Sequence, residues 1–195
     1  MMKFVLLFSC IILSFTLFTN KAEASHSKHQ VQSGDTLYLL SEQYGVPMEA
    51  IKRINERSSN TVYRGEQLTI PARVTASERD LLARLVHAEA EGEPYAGKVA
   101  VAVVVLNRVD HPSFPDNVTD VINEVNSGYY AFSPVQNGRI QRPANDEAKR
   151  AVDEALQFRG QGNGSLYFYN PKTATSPYVS TRQQTIVIGN HIFAK

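Results

Sequence analysis

The sequence predicts an α+β chain in two parts. A small βααβ unit occupies residues 28–72, and a mainly helical domain over 76–195 closes with a small C-terminal β-hairpin. Three observations carry this reading. Short apolar runs within 30–71 alternate with Gly, Pro and Asp breaks at the lengths of strand, helix, helix and strand. Residues 145–159 place Ala148, Ala151, Val152, Ala155 and Leu156 on one helical face, with Gly160 just past the end. Gly189-Asn190 separates two strand-like runs, 185–188 and 191–193, as a two-residue hairpin does.

The 195 residues carry 20 Lys and Arg against 19 Asp and Glu, a balance that argues against nucleic acid or an acidic polymer as partner. Hydrophobic residues make up 43%, enough for a packed core, and the absence of Trp shifts any sugar stacking onto Tyr and Phe. Residues 1–24 read as an export signal: Lys3, an apolar run over 4–18, and Ala22-Glu23-Ala24 before Ser25. That run is short of the roughly twenty residues of a membrane span, so the expectation is a secreted chain with no stable span after cleavage, and an uncleaved anchor is the alternative. Cys10, the sole cysteine, lies inside the apolar run. The mature chain then has no disulfide, thiolate nucleophile or Cys-ligated zinc. It keeps 18 basic and 18 acidic residues.

In the first unit, Val31 belongs to a short strand and Ser33-Gly34-Asp35 turns the chain, with Asp35 able to cap a helix carrying Leu37, Leu40 and Tyr44. Gly45 ends that helix, and Pro47 opens a second with Ile51 and Ile54 on one face. Gly65 precedes a last strand, 67–70, stopped by Pro71. The order of elements and the residues V-x-S-G-D-T-L, I-x-x-I-N and G-x-x-L-x-I-P resemble a LysM domain, a module that binds N-acetylglucosamine-containing glycans such as peptidoglycan. The resemblance implies a sugar site between Gly34, Asp35, Thr36 and Leu37 on one side and Ile54 and Asn55 on the other. Turn, cap and core roles explain the same residues equally well. Residues 72–77 form a short linker, which makes the two parts close neighbours.

The second part opens with LLARLVHAEAEGEPYAGKVAVAVVVLNR, residues 81–108. Thr75 and Glu78 form a capping box, with Ser77 as a rival cap, and Leu81, Leu82, Leu85 and Val86 recur at helical spacing. A step of four beyond Leu85 reaches Glu89, an acid where the pattern asks for a hydrophobe. Loss of hydration there raises a carboxyl's pKa, as a general acid near neutral pH requires, although a structural ion pair is the plainer explanation. Glu91 points nearly the opposite way, toward solvent. Gly92, as a left-handed cap, and Pro94 end the helix. The apolar run 99–106 fits a buried strand or a buried helix by periodicity alone, and its valines favour a strand. Arg108 is either the partner of an acid or a surface cation. Residues 111–115 are a loop, and Val118, Val121, Ile122 and Val125 suggest a short amphipathic helix. The stretch 129–142, rich in aromatics, Gly and Gln, has no helical period. Residues 161–164 are a flexible loop, 166–169 a strand, and His191 serves the hairpin.

HAEAEGEPYAGKVAVAVVVLNRV, followed in order by AFSPVQNG, LYFYNPKTATSPYV and IGNHIFAK, resembles the SleB/CwlJ-type cell-wall hydrolases, the family of the spore cortex-lytic enzymes, over about residues 78–195. The resemblance implies a lysozyme-like catalytic domain that cuts peptidoglycan glycan strands, with Glu89, the first Glu of E-A-x-G-E, as the acid. It favours a helix over 99–106. It makes Tyr129, Phe132, Ser133 and Gln136 lining of the cleft, and puts Tyr178 where the family has a Trp. Glu93 is the nearby second acid, with local capping or pairing as its other explanation.

Two mechanisms then stand open. A hydrolase normally uses two carboxylates, while a lytic transglycosylase manages with one, closing a 1,6-anhydro ring on the muramic residue. The resemblance points to the second. A muramidase-type hydrolase and an inactive peptidoglycan-binding protein are the alternatives. An amidase or peptidase would want zinc or a thiol, and His87, His111 and His191 lack H-E-x-x-H spacing. No cofactor or metal is expected, and the expected partner is peptidoglycan at the wall or spore cortex.

Overall fold

A computed structural model describes residues 25–174 and 177–195. The export-signal reading falls on 1–24, outside the described residues.

The first unit is β1 (Ser27–Gln30), α1 (Leu37–Tyr44), α2 (Met48–Ile54) and β2 (Gln67–Ile70). β1 and β2 pair antiparallel, Ser27 opposite Ile70. Val31 lies one residue past β1 yet continues the pairing, its N–H donating to the Glu66 carbonyl. The cap of α1 is Thr36, whose hydroxyl accepts from the Leu39 N–H; Asp35 instead accepts from the Gln32 N–H and contacts His29 Nε2. Asp35 therefore holds the turn rather than the helix, a correction to the expected cap. Gly45 closes α1 in the left-handed conformation, and Pro47 precedes α2. Val31, Leu37, Leu40, Val46, Ile51, Leu68 and Ile70 make a small core of their own.

The larger part follows with α3 (Ala76–Glu89) and α4 (Tyr95–Val109), then α5 (Val118–Asn123) and a two-residue-per-strand hairpin, β3 (Val125–Asn126) with β4 (Tyr129–Tyr130). After a one-turn α6 (Ser133–Gln136) come α7 (Asp146–Gln157), β5 (Tyr167–Tyr169), α8 (Pro177–Ser180), β6 (Gln184–Ile188) and β7 (His191–Ala194). α3 begins on the Thr75–Glu78 capping box. It ends earlier than expected, at Ala90, because Ala90 leaves helical geometry first and Gly92 does not take the left-handed conformation. The valine run is helical, and burial overrides strand propensity: Val101, Ala102, Val104, Val105 and Leu106 are all fully buried, as in a helix apolar on most sides. α3, α4 and α7 pack around Leu82, Leu85, Val86, Val105, Ala151 and Ala155. Truncating such a position to Ala costs about 2–5 kcal/mol. Val125, expected on α5, is exposed in β3 instead. The stretch expected to lack helix contains α6 and a 3-10 turn over Arg139–Gln141. The three C-terminal strands order β5-β7-β6, all antiparallel, with Gly189-Asn190 as the turn between β6 and β7.

The two parts meet at a packed seam. Arg159, 2% exposed, donates two hydrogen bonds to Asp110 (2.9 and 2.5 Å) and a third to the Ala72 carbonyl (2.6 Å). Arg53 of α2 donates to the carbonyls of Gly160 (2.7 Å) and Gly162 (2.9 Å). Gly160 has φ +87°, and a Cβ there would sit 2.3 Å from the Ala50 nitrogen, so only glycine lets the backbones approach.

Candidate active site

Glu89 is the last residue of α3, on the flank of a helix whose Leu82, Leu85 and Val86 are buried. Its carboxyl is pushed up to about 7 by burial, against the opposing pull of the Arg139 guanidinium and the Ser133 backbone N–H. Glu91 is exposed, as expected, but not idle: it accepts from Arg139 at 2.8 Å and so holds that guanidinium beside Glu89.

Glu93 has opposite surroundings. It lies in the turn between α3 and α4 and is 9% exposed. Burial would raise its carboxyl. The Asn190 N–H (2.9 Å, to Oε2) and the Asn190 amide (3.1 Å, to Oε1), helped by His191 and Lys98, hold it below the ordinary value. A Cβ on Gly189 would come 2.1 Å from Oε2, so the hairpin turn sits directly on this carboxylate.

Of the expected cleft residues, Ser133 meets Glu89 through its backbone, and Gln136 is exposed at the end of α6. Tyr129 projects into solvent at the tip of the β3–β4 hairpin. Tyr178 is 57% exposed, edge-on to Tyr167, with Arg182 over its ring at 4.4 Å and donating to its hydroxyl. Phe132 requires a correction. At 3% exposed it stacks on Phe168 and under Arg108, so its ring is core and no substrate can reach its face. Arg108 is not a surface cation; the Glu124 carboxylate favours its charge, although the two form no salt bridge among the described residues. Arg108 is buried among Phe114, Phe132 and Tyr167 and donates to the Leu166 carbonyl.

Sequence reasoning missed Arg139, placed by a turn with no periodic signal, and Glu124. The Glu124 carboxylate accepts no hydrogen bond from the described residues, and with Arg108, Tyr167 and Tyr178 it lines a cleft of about 760 Å³. Ala131 donates its N–H to the Glu124 carbonyl, and Ser133, two residues on, faces Glu89. The segment 131–133 thus runs between the cleft and the raised acid.

In the small unit, Leu37 is 1% exposed and belongs to the core, which removes it as a sugar contact. Asn55 is fully engaged with the Ile51 carbonyl and both backbone groups of Thr69, so its side chain ties α2 to β2. Gly34 and Thr36 are exposed, Asp35 and Ile54 half-buried. Among the described residues no group of three His, Cys, Asp or Glu could hold a metal ion, and no helix is long and apolar enough to cross a membrane.

Comparison with known proteins adds the following. The sequence model of the Cell Wall Hydrolase family matches residues 92–194, beginning three residues after Glu89, and that of the LysM domain matches 29–71. The spore cortex-lytic enzyme of Halalkalibacterium halodurans is 44% identical over 124 residues, 64% of this chain and 36% of that protein. The one from Bacillus subtilis is 41% identical over 126 residues, 65% of this chain and 40% of that protein. The chain therefore spans well under half the length of these relatives. The catalytic domain of the germination-specific lytic transglycosylase SleB from Bacillus anthracis superposes with a TM-score of 0.58 at 42% identity, covering 65% of this chain and all of that one.

Proposed function

The chain belongs to the cell-wall hydrolase family and carries a LysM domain, and from that membership we propose that it cuts the glycan strands of peptidoglycan as a lytic transglycosylase. Residues 28–72 are the binding module and 76–195 the catalytic domain. The observation that carries the reading is Glu89: a carboxyl at the end of an apolar helix, raised to about 7, is protonated at a pH where ordinary carboxylates are not.

Glu89 donates its proton to the glycosidic oxygen as the bond to C1 of the muramic residue breaks. The resulting carboxylate takes the proton of the muramic C6 hydroxyl, whose oxygen bonds to C1 and closes the 1,6-anhydro ring. No water enters and the acid is regenerated. A single carboxyl suffices, which suits a site whose other motif acids are engaged elsewhere: Glu91 pairs with Arg139, and Glu93 has both oxygens held by Asn190. Glu93 positions the hairpin rather than acting on the substrate. Tyr178, Ser133 and Gln136 line the substrate side, with Tyr129 at its outer edge. Gly34, Asp35, Thr36 and Ile54 are the surface that the LysM module offers to N-acetylglucosamine units. The apolar leader and its Ala-x-Ala end support export, and the place of action is the wall or the spore cortex.

Mass spectrometry of fragments released from purified peptidoglycan tests this. Anhydro ends, one water lighter than reducing ends, are expected. Reducing ends alone would make the chain a muramidase-type hydrolase, and binding without any release would make it an inactive wall-binding protein.

A further inference from the structure

Between the two parts lies a cavity of about 520 Å³, within the roughly 300–1,000 Å³ of small-molecule sites. The LysM side contributes His26, Ile54 and Thr69, and the catalytic side Asn107, Phe114 and Leu166. Two polar atoms on its lining are buried without a partner among the described residues: Asn107 Oδ1 and His26 Nε2. The Asn107 amide nitrogen donates to the Ser165 carbonyl at 2.9 Å, which fixes the side chain and leaves its oxygen as an acceptor lacking a donor. A buried polar group without a partner is costly, so a ligand that reaches and pairs these atoms gains affinity.

The apolar walls and the polar atoms together define the ligand. Ile54, Phe114 and Leu166 suit the flat face of a sugar ring. The acceptor of Asn107 and the imidazole of His26 suit the N–H and hydroxyl groups around it. Burial lowers the His26 pKa, so the ring is neutral at pH 7 and its nitrogens can each donate or accept. The cavity is also not isolated. His111, Phe114 and Leu166 line both it and the cleft that holds Tyr178 and Glu124. Ile54, in turn, belongs to the face that the LysM module offers to glycans.

We propose that the seam cavity is a saccharide subsite joining the LysM module to the cleft of Glu124 and Tyr178, so that one glycan strand is held by both at once; this rests on the reading of the chain as a glycan-strand enzyme. The Arg159 bond to the Ala72 carbonyl, the Arg53 bonds to Gly160 and Gly162 and the close approach at Gly160 keep the two parts in one orientation. The module then extends the row of subsites at fixed geometry, where a flexible tether would only raise the local concentration of enzyme.

The test uses the chain from residue 25 carrying Glu89→Gln, titrated calorimetrically with the trimer and the hexamer of β-1,4-linked N-acetylglucosamine. The readout is the ratio of the two affinities. The hexamer should bind about tenfold tighter or better. His26→Ala should cut that ratio about threefold, the loss of one hydrogen bond. Ile54→Trp, which fills the cavity, should abolish the length advantage. Should Ile54→Trp melt early, His26→Ala carries the test alone, since the His26 Nε2 makes no hydrogen bond among the described residues and lies 3.9 Å from Asp110. An equal ratio in parent and variants means the cavity holds water only, and overturns the proposal. Turnover of peptidoglycan by the Glu89 enzyme separates the two readings. A length ratio that falls in the variants without any strand cleavage leaves the subsite standing and sinks the catalytic reading.

Discussion

Glu89 and Glu93 stand four residues apart in one short motif, and their surroundings drive them to opposite ends of carboxylate behaviour. Glu89 ends a helix against the core, and burial outweighs Arg139 and Ser133, so the acid holds its proton to about pH 7. Glu93 is buried too, yet two amide donors from Asn190 outweigh that burial and keep it ionised. The difference teaches that burial alone does not make an acid. What decides is whether hydrogen-bond donors accompany the carboxylate into the protein. The same comparison separates a group fit to give up a proton from one fit to hold a turn in place.

The sharpest way to break the comparison is to neutralise each acid in turn. Glu89→Gln keeps the shape and loses the proton, so strand cleavage should fall about a hundred- to ten-thousand-fold, the usual worth of a general acid. The fold should survive and gain on one side of neutrality. A raised carboxyl favours the folded state below the unfolded value near 4.5 and loses that contribution as pH rises through about 7. Calorimetric melting at pH 8 should therefore find Glu89→Gln more stable than the parent by up to about 3 kcal/mol, with no difference at pH 4. Near-normal cleavage by a folded Glu89→Gln enzyme would remove Glu89 as the acid.

Glu93→Ala leaves two Asn190 donors without their acceptor and should cost about 1–3 kcal/mol of stability, while folded enzyme at low temperature keeps most of its activity and an unshifted pH profile. Because the Glu93 carboxyl is held down, its contribution is present above the unfolded value and is lost as pH falls through the folded one, the reverse of Glu89. A Glu93→Ala enzyme that folds normally but is as inactive as Glu89→Gln would put both acids in the chemistry and restore a two-carboxylate hydrolase.

Smaller effects follow at the edges of the two sites. The rate with the parent enzyme should fall as pH rises above about 7, as the acid loses its proton. Tyr178→Ala should lower turnover severalfold, by about 1 kcal/mol of lost stacking, without lowering the melting temperature, and Tyr178→Trp should restore or improve it. A melting temperature that drops in Tyr178→Ala would assign the ring to the core. The smallest change is expected of Glu91→Gln, which leaves Arg139 without its partner. The freed cation favours Glu89 ionisation more strongly, so the alkaline fall in rate should move to lower pH while the rate at pH 5 stays unchanged.

Much of this was legible one element at a time. The Thr75–Glu78 capping box, the Gly45 stop, the α7 face and the Gly189-Asn190 turn are local devices, and each appears where its residues stand. Glu89 was legible for the same reason: helical periodicity projects a residue onto a face whatever lies opposite. Phe132 was misread because an aromatic in a polar stretch carries no sign of facing inward, and only Arg108 and Phe168 settle its direction. The α3 terminus at Ala90, ahead of Gly92, and the helical valine run show the limits of propensity against packing.

By itself, then, the sequence determined the βααβ unit, the helices α3 and α7, the C-terminal hairpin, the family motifs and the placing of an acid on an apolar helix face, since those depend on neighbours within one or two turns. Only the tertiary structure decided what each acid does with its position. The Asn190 donors lie 97 residues from Glu93, and the Glu91–Arg139 pair beside Glu89 spans 48. Arg159 reaches 87 residues back to the Ala72 carbonyl to fasten the LysM module in place. No local pattern encodes such contacts, because the free energy of a hydrogen bond or an ion pair depends on which groups the fold brings together and how far it excludes water from them.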